Sequence, residues 1–300
     1  MSGVTINGKE YGSIEEYMEE INPIIVEPEN IDDWIYVVEE DGTITLNGYK
    51  GQDKEVVIPN YINGVPVKKI GTVTHRINSG VKYGSFWDPS ICKGGSAFYW
   101  YIQNDITSVT ISNGIETIGG FAFFESQALN KIIIPSSVKT IETNVFSYCI
   151  ALNEITIPSN VTSIESSVFD HCTSLTEITI PSSVTSIKSG VFAGCTSLTE
   201  ITIPSSVTSI GSNAFGNCTS LTEITIPSSV TSIGRQAFYG CTSLTEITIP
   251  DSVTTMEGYV FYSTSSITVH VPWKEGEKPE GWDDNWNKTN AGTITVDYAK

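Results

Sequence analysis

The sequence predicts a β-rich solenoid, in which short coils of chain stack along one axis. A unit of 23 residues recurs in nearly unchanged copies, as in CTSLTEITIPSSVTSIGSNAFGN from Cys195 to Asn217. Each copy contains the I-x-I alternation of a β-strand, and a proline stands at the same place in six of them. One such coil cannot bury its own apolar residues, whereas stacked coils bury them against each other.

The first half of each unit has the pattern L-x-x-I-x-I, for example Leu198, Ile201 and Ile203. The alternation predicts a strand with these side chains inward and with Glu200 and Thr202 outward. Proline has no N–H to donate to a β-ladder, so it ends the strand. The prolines in question are Pro135, Pro158, Pro181, Pro204, Pro227 and Pro250.

The second half of each unit predicts another short inward-facing segment and then a large core residue. In S-S-V-T-S-I-G, Val184 and Ile187 are predicted to point inward, and a glycine usually turns the chain. A-F or V-F follows, and the phenylalanine is large enough to fill the far side of the coil. It recurs at Phe146, Phe169, Phe192, Phe215, Phe238 and Phe261.

Five cysteines occupy one position of successive coils: Cys149, Cys172, Cys195, Cys218 and Cys241. Stacked coils lie ~4.8 Å apart. That spacing would permit a disulfide, but the Cβ vectors of stacked residues run parallel and do not converge. We expect a ladder of buried, small apolar thiols. Zinc is not expected, because C-x-x-C is absent, and Cys92 stands outside the ladder as a candidate free thiol.

The succession L-x-x-I-x-I-P, S-V-x-S-I-G and A-F-x-x-C resembles the BspA-like class of leucine-rich repeats, found in bacterial surface proteins and some protists. The resemblance covers roughly residues 55–272. It implies a curved, right-handed stack of coils, with a parallel β-sheet of L-x-x-I-x-I strands on the concave face. It also implies a non-enzymatic module that binds host matrix or other cell-surface proteins.

Three parts are predicted along the chain. Residues 1–54 are interpreted as an N-terminal cap with a short helix, which starts at the capping box of residues 13–16, followed by a strand and turn. The solenoid occupies 55–272, and residues 273–300 form a C-terminal cap. Three tryptophans are expected to cover the last coil, because an uncapped solenoid exposes its core and an edge strand: Trp273, Trp282 and Trp286.

The first coil departs most from the pattern. Twenty-five residues without repeat character, 72–96, separate its glycine from Ala97-Phe98; we call this segment the insert. Insertions in solenoids become surface loops, often on the binding face, and aromatic residues anchor many interfaces. Five aromatic residues are therefore candidates for partner binding: Tyr83, Phe86, Trp87, Tyr99 and Trp100. The alternative is that these rings fold back as a lid over the first coils.

A second candidate surface is a ladder of carboxylates at one outward position of five strands, the glutamate ladder: Glu154, Glu177, Glu200, Glu223 and Glu246. Neighbours ~4.8 Å apart repel by ~0.9 kcal/mol in water, which a solvated face tolerates. Such a stripe suits a basic partner or divalent cations. The alternative is a solubilising residue copied by duplication. Lys131 and Ser108 stand at the equivalent position of the preceding coils.

Composition limits the possible partners and compartments. With 34 acidic and 16 basic residues the formal charge is −18, which disfavours nucleic acids and anionic membrane surfaces. No run approaches the ~18 apolar residues of a spanning helix, so membrane insertion is not expected. The first residues lack a signal peptide, so we expect a surface or secreted protein whose export signal was trimmed; a cytoplasmic protein stays an alternative. The expected partner of this monomer is a host or surface protein, or a glycan.

No catalytic, metal or cofactor site is predicted. The three histidines, His75, His171 and His270, lie far apart, and G-x-S-x-G, H-E-x-x-H and G-x-G-x-x-G are absent. His171 and Cys172 are adjacent, but neighbouring side chains usually point apart. An enzyme would need a constellation within residues 72–105. The leading hypothesis is therefore an adhesion module that binds through the concave sheet and the insert; a purely structural spacer is the alternative.

Overall fold

The fold is a β-solenoid of about ten turns with almost no helix. The computed structural model describes residues 4–6, 9–11, 24–71 and 105–299. Within these residues the helical structure is one 3-10 turn at Ile31–Asp33. The fold class predicted from the 23-residue repeat is confirmed.

The described residues contain twenty short strands. The first seven are β1 (Val4–Ile6), β2 (Lys9–Tyr11), β3 (Trp34–Val38), β4 (Ile44–Tyr49), β5 (Glu55–Ile58), β6 (Tyr61–Ile62) and β7 (Val65–Ile70). The next six are β8 (Ser108–Ile111), β9 (Thr117–Ile118), β10 (Lys131–Ile133), β11 (Thr140–Ile141), β12 (Glu154–Ile155) and β13 (Ser163–Ile164). The last seven are β14 (Ser186–Ile187), β15 (Ser209–Ile210), β16 (Ser232–Ile233), β17 (Glu246–Thr248), β18 (Thr255–Met256), β19 (Ile267–Val271) and β20 (Ile294–Tyr298).

Two parallel ladders run the length of the stack, and the larger one is not the ladder that the repeat pattern emphasises. The second segment of each coil forms an 11-stranded sheet that runs from β18 back to β7 and ends on the β4–β3 hairpin. The L-x-x-I-x-I segments form a four-stranded sheet at one end and a three-stranded sheet at the other. Between these two sheets they pair through single bridges at Thr156, Thr179, Thr202 and Thr225. That this segment lines the concave face stays a prediction.

A third row of hydrogen bonds joins the coils at the A-F or V-F turn. In the coil of Phe192, three alternate N–H groups donate to the next coil: Gly190 to the Ser212 oxygen at 2.9 Å, Phe192 to the Ala214 oxygen at 2.9 Å, and Gly194 to the Gly216 oxygen at 2.7 Å. The residues two positions before and two positions after this phenylalanine have positive φ, +65° at Gly190 and +70° at Gly194. The turn therefore needs two left-handed positions in each coil.

A column of stacked phenylalanine rings forms the centre of the core. The ring centroids of successive coils lie 5.5–5.7 Å apart and the ring planes differ by 3–14°. Each ring is fully buried, and the column also includes Phe123, one coil before the first phenylalanine recognised in the repeat. The inward positions Val184 and Ile187 are likewise buried. The predicted core positions of the repeat are confirmed.

Asn60 attaches the chain before the repeats to the first coil. Its side chain is 2% exposed. The side-chain oxygen accepts from the Val26 N–H at 2.8 Å, and its amide nitrogen donates to the carbonyls of Ile24 at 2.8 Å and Asn113 at 2.5 Å. Glu27 adds to this attachment by accepting from the N–H groups of residues 63 and 64. The Asn60 side chain, the Glu27 carboxylate and two backbone bonds to the Val26 oxygen together hold residues 24–27 against the solenoid.

At the other end, aromatic residues pack on the last coil. Trp282 and Trp286 are 2% and 3% exposed. The Trp286 ring meets Phe261, the last member of the phenylalanine column, edge-on at 6.4 Å. The Trp282 Nε1–H donates to the Val253 oxygen at 2.9 Å, and Trp273 packs edge-on against Trp282 at 5.3 Å. These rings cover the apolar end of the stack.

The predicted domain boundaries stay predictions. Hydrogen-bonded sheets continue across both of them. β4 lies before residue 55 and pairs in parallel with β7, and β20 lies after residue 272 and pairs in parallel with β19. The predicted N-terminal helix and the insert lie outside the described residues. The strands on either side of the insert are direct neighbours, since β5 pairs with β8 and β7 with β9.

Among the described residues, no helix reaches the length and apolar character required to cross a bilayer.

Phe192→Ala should destabilise the solenoid by about 3–5 kcal/mol, because it removes one ring from a fully buried stack and leaves a cavity. The free energy of unfolding by guanidinium chloride measures this. Thr202→Ala, at an exposed position of the next coil, is the matched control and should change stability by less than about 0.5 kcal/mol. Similar losses in the two variants would contradict the central role of the column.

Asn60→Ala should release residues 24–27 from the first coil, at a cost of about 1–3 kcal/mol for the buried partners left unpaired. Hydrogen exchange of the Val26 amide should accelerate, whereas amides near Phe192 should keep their protection. Asn153→Ala, at an exposed position, is the control. Unchanged exchange at Val26 in the Asn60 variant would show that this amide does not hold the segment.

Candidate functional site

The glutamate ladder forms an exposed stripe on the L-x-x-I-x-I surface. All five carboxylates are exposed, and so are the five threonines two residues after them. The register is fixed by backbone pairing, since Lys131 is paired with both Ser108 and Glu154, and Thr179 bridges to Thr202. The outward direction that the I-x-I alternation predicts is therefore seen at these positions, including Glu177.

The lysines that form ion pairs in the described part of the chain pair with other carboxylates. Lys68 and Lys139 reach Glu116 at 2.8 and 2.9 Å, and Lys69 reaches Glu142 at 2.9 Å. The hydrogen bonds from Lys68 and Lys139 hold the pKa of Glu116 below its usual range. Within residues 24–71 and 105–299, no lysine or arginine forms an ion pair with the glutamate ladder. The stripe therefore carries uncompensated negative charge.

Threonine hydroxyls next to the stripe are bonded to the backbone of the preceding coil. The Thr199 hydroxyl donates to the Thr176 oxygen at 3.5 Å, and the Thr222 hydroxyl to the Thr199 oxygen at 3.4 Å. These residues immediately precede Glu200 and Glu223 in the chain. Ordered side chains on a regular backbone lose little conformational entropy when a partner binds. The surface around the carboxylates is preorganised in this sense.

The cysteine ladder is structural. The five thiols are free and fully buried, as predicted from their 23-residue spacing. Each Sγ donates to the carbonyl of a phenylalanine in the preceding coil, for example Cys195 to the Phe169 oxygen at 3.1 Å and Cys218 to the Phe192 oxygen at 3.1 Å. Burial raises the pKa of every one of these thiols, and that of Cys241 reaches about 12. The sequence does not reveal these S–H donors, because they depend on where the backbone of the neighbouring coil lies.

The histidines do not assemble a reactive site. His171 lies at the surface with Nδ1 2.8 Å from an Asp170 carboxylate oxygen, whereas Cys172 is buried, so the two adjacent side chains point apart as predicted. His270 Nδ1 lies 2.7 Å from Asp297 Oδ2 in the last sheet. His75 is outside the described residues. Where the chain is described, no three His, Cys, Asp or Glu side chains are grouped to hold a metal ion.

An exposed aromatic cluster, which the sequence analysis missed, lies at the turn beside the first cysteines. Tyr148 and His171 stack with centroids 4.4 Å apart and planes 6° apart, and Phe124 meets Tyr148 edge-on at 5.9 Å. Ile150 extends the apolar surface and is exposed. The signal was available: Tyr148 and Ile150 stand where later coils carry residues such as Asn217 and Thr219. We call Phe124, Tyr148, Ile150 and His171 the aromatic cluster.

Two members of the cluster have backbone conformations that large side chains disfavour. Tyr148 has φ +61° and His171 φ +57°. The left-handed region costs an ordinary L-residue roughly 1–2 kcal/mol, whereas glycine adopts it freely and asparagine tolerates it. At the same position of later coils the chain has Gly194 and Asn217. The position therefore favours glycine or asparagine, and Tyr148 and His171 occupy it in place of them.

The aromatic candidates of the first coil, Tyr83, Phe86, Trp87, Tyr99 and Trp100, all lie outside the described residues. Whether they contact a partner or cover the first coils stays a prediction. The structure brings the glutamate ladder together as one surface and adds the aromatic cluster at a different place, on the cysteine-bearing turn.

Buried thiols with raised pKa should be unreactive in the native protein. In a Cys92→Ser variant, a disulfide reagent should label the five ladder thiols only after unfolding. Thiols ionise near pH 8.5 in the unfolded chain but stay protonated in the folded one. The free energy of unfolding should therefore be at its full value below about pH 8 and should decrease as the pH rises toward about 11. Titration of unfolding against pH measures this. Stoichiometric labelling of the native variant would contradict the burial of the ladder.

The comparisons with known proteins identify the repeats. The sequence profile of the BspA type leucine rich repeat region matches in six copies, over residues 94–222 and 208–275, which together make up more than half of the chain. A search of curated proteins gave no match.

Among solved structures, the chain is similar to a leucine-rich repeat protein of T. pallidum, with 26% identity over 72% of this chain and 89% of that one and a TM-score of 0.58. It also matches a leucine-rich repeat protein of Bacteroides ovatus, with 26% identity over 81% of this chain and 70% of that one and a TM-score of 0.46. A leucine rich cell surface protein of Faecalibacterium prausnitzii matches with 20% identity over 93% of this chain and 96% of that one, with a TM-score of 0.40.

The repeat motif matches the family profile, and the fold matches that of the T. pallidum protein. Proteins of this family and fold are generally non-enzymatic. Its repeats serve protein interaction or scaffolding. The chain belongs to the BspA type leucine-rich repeat family.

Proposed function

We propose that this protein is a non-enzymatic adhesion module of a bacterial cell surface or of a secreted protein, which binds a host or cell-surface protein through the glutamate ladder and the insert. The observation that carries the proposal is the ladder itself: five exposed carboxylates in register, without an ion pair among the described residues. The family supports a role in protein interaction.

The charge of the ladder selects the kind of partner. Carboxylates ~4.8 Å apart on a sheet add their fields, so a basic surface is attracted over about one Debye length, ~8 Å at physiological salt. Adjacent carboxylates of the ladder repel each other by ~0.9 kcal/mol, and positive charge from a partner compensates this repulsion. Electrostatic complementarity of this kind chiefly increases specificity and association rate. We therefore expect a basic protein partner and salt-sensitive binding.

The insert would contribute the apolar part of the contact. Its tryptophan Trp87, together with Trp100 just after it, belongs to the residue types that dominate interface energetics. An acidic stripe alone supplies steering but little burial of apolar surface, whereas aromatic anchors supply burial. The proposal therefore assigns steering to the ladder and affinity to the insert.

A ladder variant tests the proposal. The immobilised chain is incubated with extracellular matrix and serum, retained proteins are identified by mass spectrometry, and the affinity of each is then measured after purification. Glu177→Gln with Glu200→Gln and Glu223→Gln should weaken a genuine partner at least about tenfold. The matched control, Glu275→Gln with Glu277→Gln and Glu280→Gln, changes the same charge on exposed residues of the C-terminal region and should weaken it less than about twofold.

Three further outcomes of this experiment are informative. Deletion of residues 72–96, or Trp87→Ala with Trp100→Ala, should weaken the same partner without lowering the melting temperature. If those variants unfold, the aromatic residues belong to the core and the insert has no binding role. If ladder and control variants lose affinity equally, or if no protein is retained, the binding function is wrong and a structural spacer remains.

A further inference from the structure

The aromatic cluster of Phe124, Tyr148, Ile150 and His171 differs from the equivalent surface of every later coil until the Tyr239 coil. The repeats serve as an internal comparison, since residues 23 apart occupy the same place in successive coils. At the position of Tyr148 the later coils have Gly194, Asn217 and Gly240. At the position of Ile150 they have threonine, at Thr173, Thr196, Thr219 and Thr242. The cluster is therefore a local departure from an otherwise small and polar surface.

Packing accounts for only part of the departure. Tyr148 is 38% exposed, Ile150 is 39% exposed and the side chain of His171 is 44% exposed, so each of them leaves more than a third of its surface in contact with solvent. Tyr148 and His171 are moreover held at positive φ, where glycine or asparagine would fit without strain. Every coil needs this conformation, so the φ angle belongs to the fold; what is particular to the cluster is that two bulky residues occupy it.

The arrangement of the rings favours a polypeptide over a sugar. A sugar stacks on the open face of an aromatic ring, but one face of Tyr148 lies on His171 at 4.4 Å and Phe124 meets Tyr148 at its edge. The exposed parts of Tyr148, His171 and Ile150 are what the cluster presents to solvent. An apolar side chain of a protein partner can pack against such a surface, as in the centres of protein interfaces.

The charges around the cluster favour a basic partner. Glu125 follows Phe124 in the chain, and Asp170 precedes His171 and accepts from its Nδ1 at 2.8 Å. In the described part of the chain, no lysine or arginine stacks on these rings. Charge complementarity therefore points to a cationic side chain supplied from outside.

A second aromatic group lies on the same turn six coils after Phe121 and Phe124 and has a cation beside it. Tyr259 and Tyr262 occupy the positions of Phe121 and Phe124, and Tyr262 stacks with Tyr239. There the guanidinium of Arg235 lies 5.3 Å from the ring centroid of Tyr259, the geometry of a cation–π contact. The turn surface of this fold thus accommodates an arginine beside its aromatic residues.

We propose that the aromatic cluster is a docking site for a polypeptide segment of a partner protein that carries an arginine or lysine next to an apolar side chain. The apolar side chain packs against the exposed parts of the rings and Ile150, and the carboxylates of Glu125 and Asp170 attract the cation. This inference rests on the proposed binding function and adds a second contact surface, on the cysteine-bearing turn.

Synthetic peptides test the site directly. The probes are short peptides that alternate arginine with leucine, glutamate with leucine, and arginine with serine, together with an oligomer of N-acetylglucosamine. The arginine–leucine peptide should bind to the full chain by calorimetry and the other three should not. Tyr148→Asn with Ile150→Thr, residue types that the fold already carries at 217 and 219, should weaken that binding at least about tenfold. Tyr259→Asn, at the place of Asn213, is the matched control and should bind as the parent does.

Stability separates a docking role from a structural one. The Tyr148–Ile150 variant should melt at or above the temperature of the parent, because asparagine tolerates positive φ. A fall of more than about 5 °C would mean that the cluster packs the fold, and the inference would be wrong. It would also be overturned if no peptide binds, or if the oligosaccharide binds in place of the arginine–leucine peptide. Should the matrix or serum partner bind variant and parent equally, the proposed function stands and the second surface is refuted.

Discussion

The whole molecule depends on the fact that one coil of 23 residues cannot bury its own apolar side chains. Each coil is closed only by the next one, through three rows of intercoil hydrogen bonds and a column of stacked rings. Because every coil must offer the same shape to its neighbours, identical residues recur at Phe192, Phe215 and Phe238. The same constraint places outward residues in register, so that a single glutamate per unit becomes a continuous charged surface. Surface chemistry is here a direct result of how the core is packed.

The sequence predicts the core well because burial imposes a strict period. Val184, Ile187 and the phenylalanines are inward as expected, and the five thiols are buried and reduced. The extent of each sheet was less predictable. The I-x-I pattern is conspicuous in the sequence, yet the longer ladder lies on the second segment, since ladder length depends on intercoil hydrogen bonds that side-chain alternation does not report.

Of the two candidate surfaces, one could be predicted from the sequence and the other could not. The exposed glutamate ladder follows from alternation alone, so its direction could be read from the repeat. The aromatic cluster depends on two left-handed backbone positions in each turn, at Tyr148 and His171 among others, and these conformations have no periodic signature when the residue is not glycine. What could have indicated them was a change of residue type between copies. In a duplicated array, identity between copies follows from the duplication itself, so the coils with substituted residues are the informative ones.

The hydrogen bonds at the A-F turn all point the same way, from each N–H to a carbonyl of the following coil. The stack therefore has a donor end and an acceptor end that are not interchangeable. At the donor end the carbonyls of Asn285 and Trp286 terminate the row by accepting from Tyr259 and Val260 at 2.8 and 3.1 Å. Whole 23-residue repeats can consequently be gained or lost inside the array without changing the contacts at either end. Adding a coil after the last one would instead require breaking the hydrogen bonds to Asn285 and Trp286. The number of repeats can therefore change while the contacts that cap the two ends stay the same.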